Sequence, residues 1–114
     1  MSINEKQVEF MRTLAAFLGW CFQNGYLVIG AELYRTKDQA EIYKAQGKGI
    51  LNSIHRLKMA IDLFRYLDGK VTWDPEDYRE MGEQWKSMHS DARWGGNFSG
   101  RDAVHFSFEH KGRK

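Results

Sequence analysis

Leu57-Lys58-Met59-Ala60-Ile61-Asp62-Leu63 alternates side chains of two kinds. In an extended chain Leu57, Met59, Ile61 and Leu63 fall on one face and Lys58, Ala60 and Asp62 on the other, which predicts a strand with one face against a core. The Asp68-Gly69 pair that follows has the chemistry of a two-residue hairpin turn, sending the chain back through Val71 and Trp73. An antiparallel sheet is therefore expected at the centre of the chain.

Working towards the N-terminus, Tyr26 to Tyr34 is mostly apolar and rich in strand-forming residues, so it reads as a buried strand. Before it, residues 4–23 carry Val8, Met11, Leu14, Ala15, Leu18 and Cys21 at helical spacing and stop at Asn24-Gly25. Thr36 and Gln39 form a capping box that opens a short helix through Ala45, ending at Gly47, with a loop to Ser53.

Working towards the C-terminus, Asp74 as cap and Pro75 at the first helical position start a further helix, whose Tyr78, Met81, Trp85 and Met88 form an apolar stripe ending near Ser90. Residues 91–101 read as a glycine-rich loop holding Trp94 and Phe98. Val104, Phe106 and Phe108 then alternate with His105, Ser107 and Glu109 in a strand with one apolar and one polar face. The basic tail after His110 is expected to fray. The order helix, strand, helix, hairpin, helix, strand predicts one α+β domain spanning residues 1–114, with helices packed on an antiparallel sheet.

Composition narrows the function. The chain has 114 residues, 42% hydrophobic and 28% charged, the balance of a folded soluble domain. Its net charge is only +2, with seven cationic and five anionic side chains up to Leu57 and ten of each afterwards. No basic face is predicted to meet nucleic acid. The longest apolar run, Leu14 to Phe22, is far short of the ~20 residues that span a bilayer. No signal peptide is expected, because Glu5 and Glu9 cancel Lys6 and Arg12. The single cysteine, Cys21, reads as a small buried hydrophobe.

Three side chains stand out as metal-capable. Asp62 lies beside small Ala60 and His105 beside small Ser107, so two strands each offer a donor next to open space. His55 precedes Asp62 by seven residues, which in a straight strand puts the two on opposite faces; a shared ligand requires the chain to turn around Arg56 to Lys58. Two His and one carboxylate leave a position for water, as in catalytic zinc sites. Asp102, three residues before His105, is placed to take a proton without being a ligand. The alternative is that each His is packed or hydrogen bonded and the Asp is its partner or a loop cap. His89 and His110 read as a solvated helix end and part of the tail.

Ser53-Ile54-His55-Arg56-Leu57-Lys58-Met59-Ala60-Ile61-Asp62, together with Tyr34-Arg35-Thr36 and Gln39, the Trp94-Gly95-Gly96 loop and Asp102-Ala103-Val104-His105-Phe106, resembles the zinc D-alanyl-D-alanine carboxypeptidase and L-alanyl-D-glutamate endopeptidase family, in particular its phage endolysin branch. The resemblance runs from about residue 32 to 108 and leaves out the N-terminal helix. It implies a hedgehog-like zinc peptidase fold and one Zn2+ per chain, held by His55, Asp62 and His105. It also implies Asp102 as general base, Arg35 on a substrate oxygen and Ser53 bordering the metal pocket. The implied activity is hydrolysis of an amide bond in the peptidoglycan stem peptide, foremost the L-alanyl-D-glutamate bond, lysing the cell wall; a monomer is expected. With no signal peptide expected, synthesis in the cytoplasm and release to the wall by another factor are expected. A D,D-carboxypeptidase and a zinc-stabilised wall-binding module without activity are the alternatives. Lys58 and Ser107 depart from the family pattern, at positions that bear on substrate preference and ligand support. Trp94 and Phe98 either wall the substrate groove or pin the loop to the core.

Overall fold

Ser2 opens the first helix, its hydroxyl accepting the Glu5 N–H at 3.1 Å. The structure, a computed structural model, describes residues 2–31 and 54–114. The capping box of Thr36 and Gln39, the helix expected after it and the loop to Ser53 lie outside the described residues, as do Arg35 and Ser53. Helix α1 spans Ile3–Gln23 and ends where Asn24 donates back to Trp20 and Gly25 takes a positive φ. Its buried stripe is Phe10, Leu14, Phe17 and Cys21, not the predicted series through Val8 and Met11, which are about half exposed. Both series have helical spacing and share Leu14 and Cys21. The two phenylalanines settle which face turns inward, because their rings mesh edge-on with Trp85 at 5.8 and 5.3 Å and reach Phe108 and Phe106.

The described residues form a five-stranded sheet built on β2, Ala60–Leu67. Along one edge of β2 runs β1, Leu27–Gly30, antiparallel, with Ile29 opposite Phe64. The other edge takes β5, His105–Phe108, at the start of β2 and β3, Lys70–Val71, at its end. Strand β4, Ala92–Trp94, closes the order β1-β2-β5-β4. Asp68 and Gly69 both take positive φ between β2 and β3, which is the turn the Asp-Gly pair predicts. The return strand stops at Val71, and Trp73 lies beyond it, 65% exposed.

Asp74 caps the predicted start at Pro75 through the Glu76 N–H, although the first turn, Pro75–Tyr78, is a 3₁₀ helix and α2 proper spans Arg79–Met88. Tyr78, Met81 and Trp85 are fully buried. Gly82 lets α2 lie directly on Trp94, where a Cβ would sit 2.1 Å from the indole.

Both helices among the described residues cover the sheet face that carries Ile61, Leu63, Phe106 and Phe108, giving an α+β arrangement of helices on an antiparallel sheet. No described helix is long and apolar enough to cross a membrane.

Four further expectations change. Strand β1 is short and stands at the edge of the sheet among the described residues, with Leu27, Ile29 and Gly30 exposed, because only Val28 of its central residues packs on the core; the end of the predicted strand, residues 32–34, lies outside the described residues. Ala92–Trp94, expected in a loop, is a strand, too short for its alternation to register. All of β5 is buried, so its His105 and Ser107 face is covered as well as its phenylalanine face. The tail turns back on itself, with His110 and Arg113 exchanging backbone hydrogen bonds of 2.8 and 2.9 Å.

Candidate metal centre

Ile54–Leu57 forms a 3₁₀ turn, and Lys58 follows with φ of 58°. A left-handed residue there reverses the chain before β2 starts, which removes the parity conflict between His55 and Asp62. His55 thus arrives from outside the sheet over the face opposite the helices. Asp62 and His105 reach the same face from facing positions of β2 and β5, since directly opposed residues of antiparallel strands share a face.

The three side chains converge. One donor atom from each of His55, Asp62 and His105 lies within 4.8 Å of the others. His55 Nε2 stands 3.5 Å from Asp62 Oδ1, and His105 Nδ1 stands 3.8 Å from the same oxygen. These separations exceed hydrogen-bond length. They approach the spacing of donors around a common cation, since bonds of about 2.0–2.2 Å to a tetrahedral zinc put neighbouring donors roughly 3.4 Å apart. Asp62 Oδ1 is buried and accepts no hydrogen bond among the described residues, a costly arrangement for a carboxylate unless a cation completes it. The residues therefore fit a metal ion. His55 and His105 are 2% and 6% exposed, while the Asp62 side chain keeps 20%, so the cluster opens to solvent on the carboxylate side.

The rings of His55 and His105 meet edge to face at 5.2 Å, and Phe98 packs on His105 at 5.5 Å. Gly95 fills the remaining gap. A Cβ on it would stand 2.1 Å from the Asp102 carbonyl oxygen and 2.8 Å from His105 Cβ, so only a glycine admits this approach. The Gly95 carbonyl accepts the N–H groups of Phe98 and Asp102, and the Asp102 carbonyl accepts the His105 N–H at 3.1 Å. Asp102 itself is exposed, at the head of the turn that delivers His105.

Trp94 lies elsewhere. It opposes Phe106, on the helix side of the sheet, is 5% exposed, and donates its indole N–H to the Ala103 carbonyl at 2.8 Å. It pins the 95–103 loop to the core, and its remaining edge borders a small cleft with Pro75, Arg79 and Arg101. Phe98, its companion in the sequence reading, is the aromatic that reaches the metal-capable group. His89 is not a solvated helix end. Its ring stacks on Phe108 at 4.3 Å, meets Glu9 of α1 at 2.9 Å through Nε2, and accepts the Asp91 N–H on Nδ1. Cys21 is fully buried, and desolvation pushes its thiol pKa up to about 12.

Sequence reasoning missed the part played by Gly95. Its only signal was the Gly95-Gly96 pair immediately after a tryptophan.

No model of a known protein family matches the chain, and no curated protein sequence does. Among solved structures, the fold is similar to that of an L-Ala D-Glu endopeptidase of Serratia marcescens, ChiX, with a TM-score of 0.72 over 89% of this chain and 78% of that one, at 20% sequence identity.

Proposed function

We propose that the chain is a zinc-dependent peptidase of bacterial peptidoglycan that hydrolyses the L-alanyl-D-glutamate bond of the stem peptide and acts at the cell wall. The observation that carries this reading is the convergence of His55, Asp62 and His105 on one side of a sheet whose fold is similar to an endopeptidase for that linkage. Two histidines and one carboxylate, with solvent access at the carboxylate, are the donor set of a hydrolytic zinc and not of a closed structural one. Bound there, zinc supplies Lewis acidity for the scissile carbonyl and for water.

The protein's own groups do the rest. Asp102 takes a proton from the attacking water and returns it to the leaving amine, which a carboxylate outside the ligand set can do without loosening the metal. The Asp102 carbonyl bond to the His105 N–H ties the base to the ligand through backbone, so the two keep their spacing. Phe98 and Gly95 hold the His105 ring in place. The family resemblance assigns Arg35 to a substrate oxygen, through its planar fork, and Ser53 to the border of the metal pocket; both lie outside the described residues.

The test is Asp102→Asn, which keeps size and removes basicity. Hydrolysis of purified peptidoglycan should fall by roughly 10²-fold to 10⁴-fold while elemental analysis still finds one zinc per chain. Unchanged hydrolysis, or loss of the zinc, contradicts the role given to Asp102.

A further inference from the structure

The sheet face that carries Asp62 continues along β2 to Phe64 and Tyr66, and the facing residues of β1 are Ile29 and Leu27. The intervening Arg65 points the other way, its guanidinium 4.5 Å above the Tyr26 ring and bonded to the Asp77 carbonyl, which fixes the parity. Leu27, Ile29 and Tyr66 are 51%, 47% and 42% exposed, and Trp73, at 65%, rests on Phe64 with ring centroids 5.2 Å apart. Large apolar side chains gathered on one exposed face are a feature of interaction and ligand-binding surfaces. Here the face is shared with the metal-capable group and begins one same-face step from Asp62.

We infer that this platform seats the amino-sugar ring to which the stem peptide is attached, an inference that rests on the peptidase reading above. Two arguments select a sugar. The first is distance. The carbonyl of the L-alanyl-D-glutamate bond is separated from the sugar by one alanine and one lactyl unit, about two residue lengths or roughly 7 Å. Phe64 stands two residues along β2 from Asp62, a rise of about 6.6 Å, and Trp73 extends the surface sideways from it. The second is chemistry. A pyranose ring offers a face of C–H bonds to an aromatic plane while its hydroxyl and acetamido groups stay in water. Such a ligand suits rings left half in solvent at the end of a hairpin better than a wholly apolar one does.

The test compares a stem peptide carrying its disaccharide with the same peptide free, for the parent and for Trp73→Ala. Ile29→Thr, which keeps β propensity and removes apolar surface, is a second variant at the platform. The parent should show a kcat/KM about tenfold higher for the disaccharide peptide, and both variants should bring the ratio close to one. A parent ratio of one, or a preference that survives in both variants, overturns the inference and leaves the peptidase reading standing. If the parent hydrolyses neither substrate, the peptidase reading fails. Co-sedimentation of metal-free protein with insoluble peptidoglycan then judges the platform alone: weaker sedimentation of Trp73→Ala supports it, and equal sedimentation overturns it. Self-association of the parent that Trp73→Ala abolishes, with no effect on sugar preference, assigns the face to a second copy and also overturns the inference.

Discussion

Replacing Gly95 by alanine tests whether the backbone behind the metal-capable group is as close as the structure has it. The added Cβ would meet the Asp102 carbonyl oxygen at 2.1 Å and His105 Cβ at 2.8 Å. Ordinary carbon–oxygen contact begins near about 3.3 Å, so a separation of roughly 1 Å must open. Neither neighbour is a flexible side-chain end. The Asp102 N–H is bonded back to the Gly95 carbonyl at 2.9 Å, and His105 is fixed in β5 opposite Asp62. Overpacking of this kind costs about 1–3 kcal/mol. For a chain of this size that lowers Tm by about 4–12 °C. With Asp102 as base and His105 as ligand, as proposed, a displacement near 1 Å between them costs about 10²-fold in rate. The assay is thermal unfolding by circular dichroism together with peptidoglycan hydrolysis, for the parent, Gly95→Ala and Gly100→Ala. At Gly100 a Cβ meets nothing within 4 Å, so that variant should track the parent. If Gly95→Ala melts within about 1 °C of the parent and hydrolyses at the parental rate, the close approach is wrong, and with it the idea that Gly95 spaces Asp102 from His105.

Two further outcomes follow from the core. Cys21, buried with its thiol held up at about 12, should resist alkylation in the native protein at pH 8 and react on unfolding; prompt native labelling contradicts its burial. Because the folded pKa is raised, the unfolded chain loses this proton first, so the Cys21 contribution to stability is intact below about pH 9 and declines as pH rises towards about 12, measurable as a falling urea midpoint. Trp85→Phe keeps a ring in the core but removes the N–H shared by the Arg93 and Ser107 carbonyls at 3.0 and 3.1 Å, and should cost about 1–3 kcal/mol by urea denaturation. An unchanged midpoint contradicts that role.

The grouping of His55, Asp62 and His105 was legible in the sequence because its constraints are local. Small residues beside Asp62 and His105, and the need for a turn between His55 and Asp62, both come from strand parity. The turn is there, in the 3₁₀ segment and the left-handed Lys58. The hairpin at Asp68-Gly69 and the cap at Asp74 were legible for the same reason. What escaped depends on partners distant in sequence. The inward face of α1 is chosen by Phe10 and Phe17 meeting Trp85, Phe106 and Phe108. His105 on the polar face of β5 is buried because the 3₁₀ turn bearing His55 and the loop around Gly95 close over it, which alternation within β5 cannot reveal. Trp94 sits in the core because α2 offers Gly82 beneath it. His89 is held between Glu9 and Phe108, eighty and nineteen residues away.

The most direct test of a metal-dependent peptidase acting on peptidoglycan is mass spectrometry of the fragments released from purified peptidoglycan by zinc-loaded protein and by the same protein after chelation. The zinc-loaded protein should release peptides that begin at D-glutamate and leave L-alanine on the glycan, and the chelated protein should release none until zinc is restored. Loss of a terminal D-alanine alone would replace the endopeptidase by a carboxypeptidase. No released fragment from zinc-loaded protein, or the same fragments with and without metal, would contradict the account.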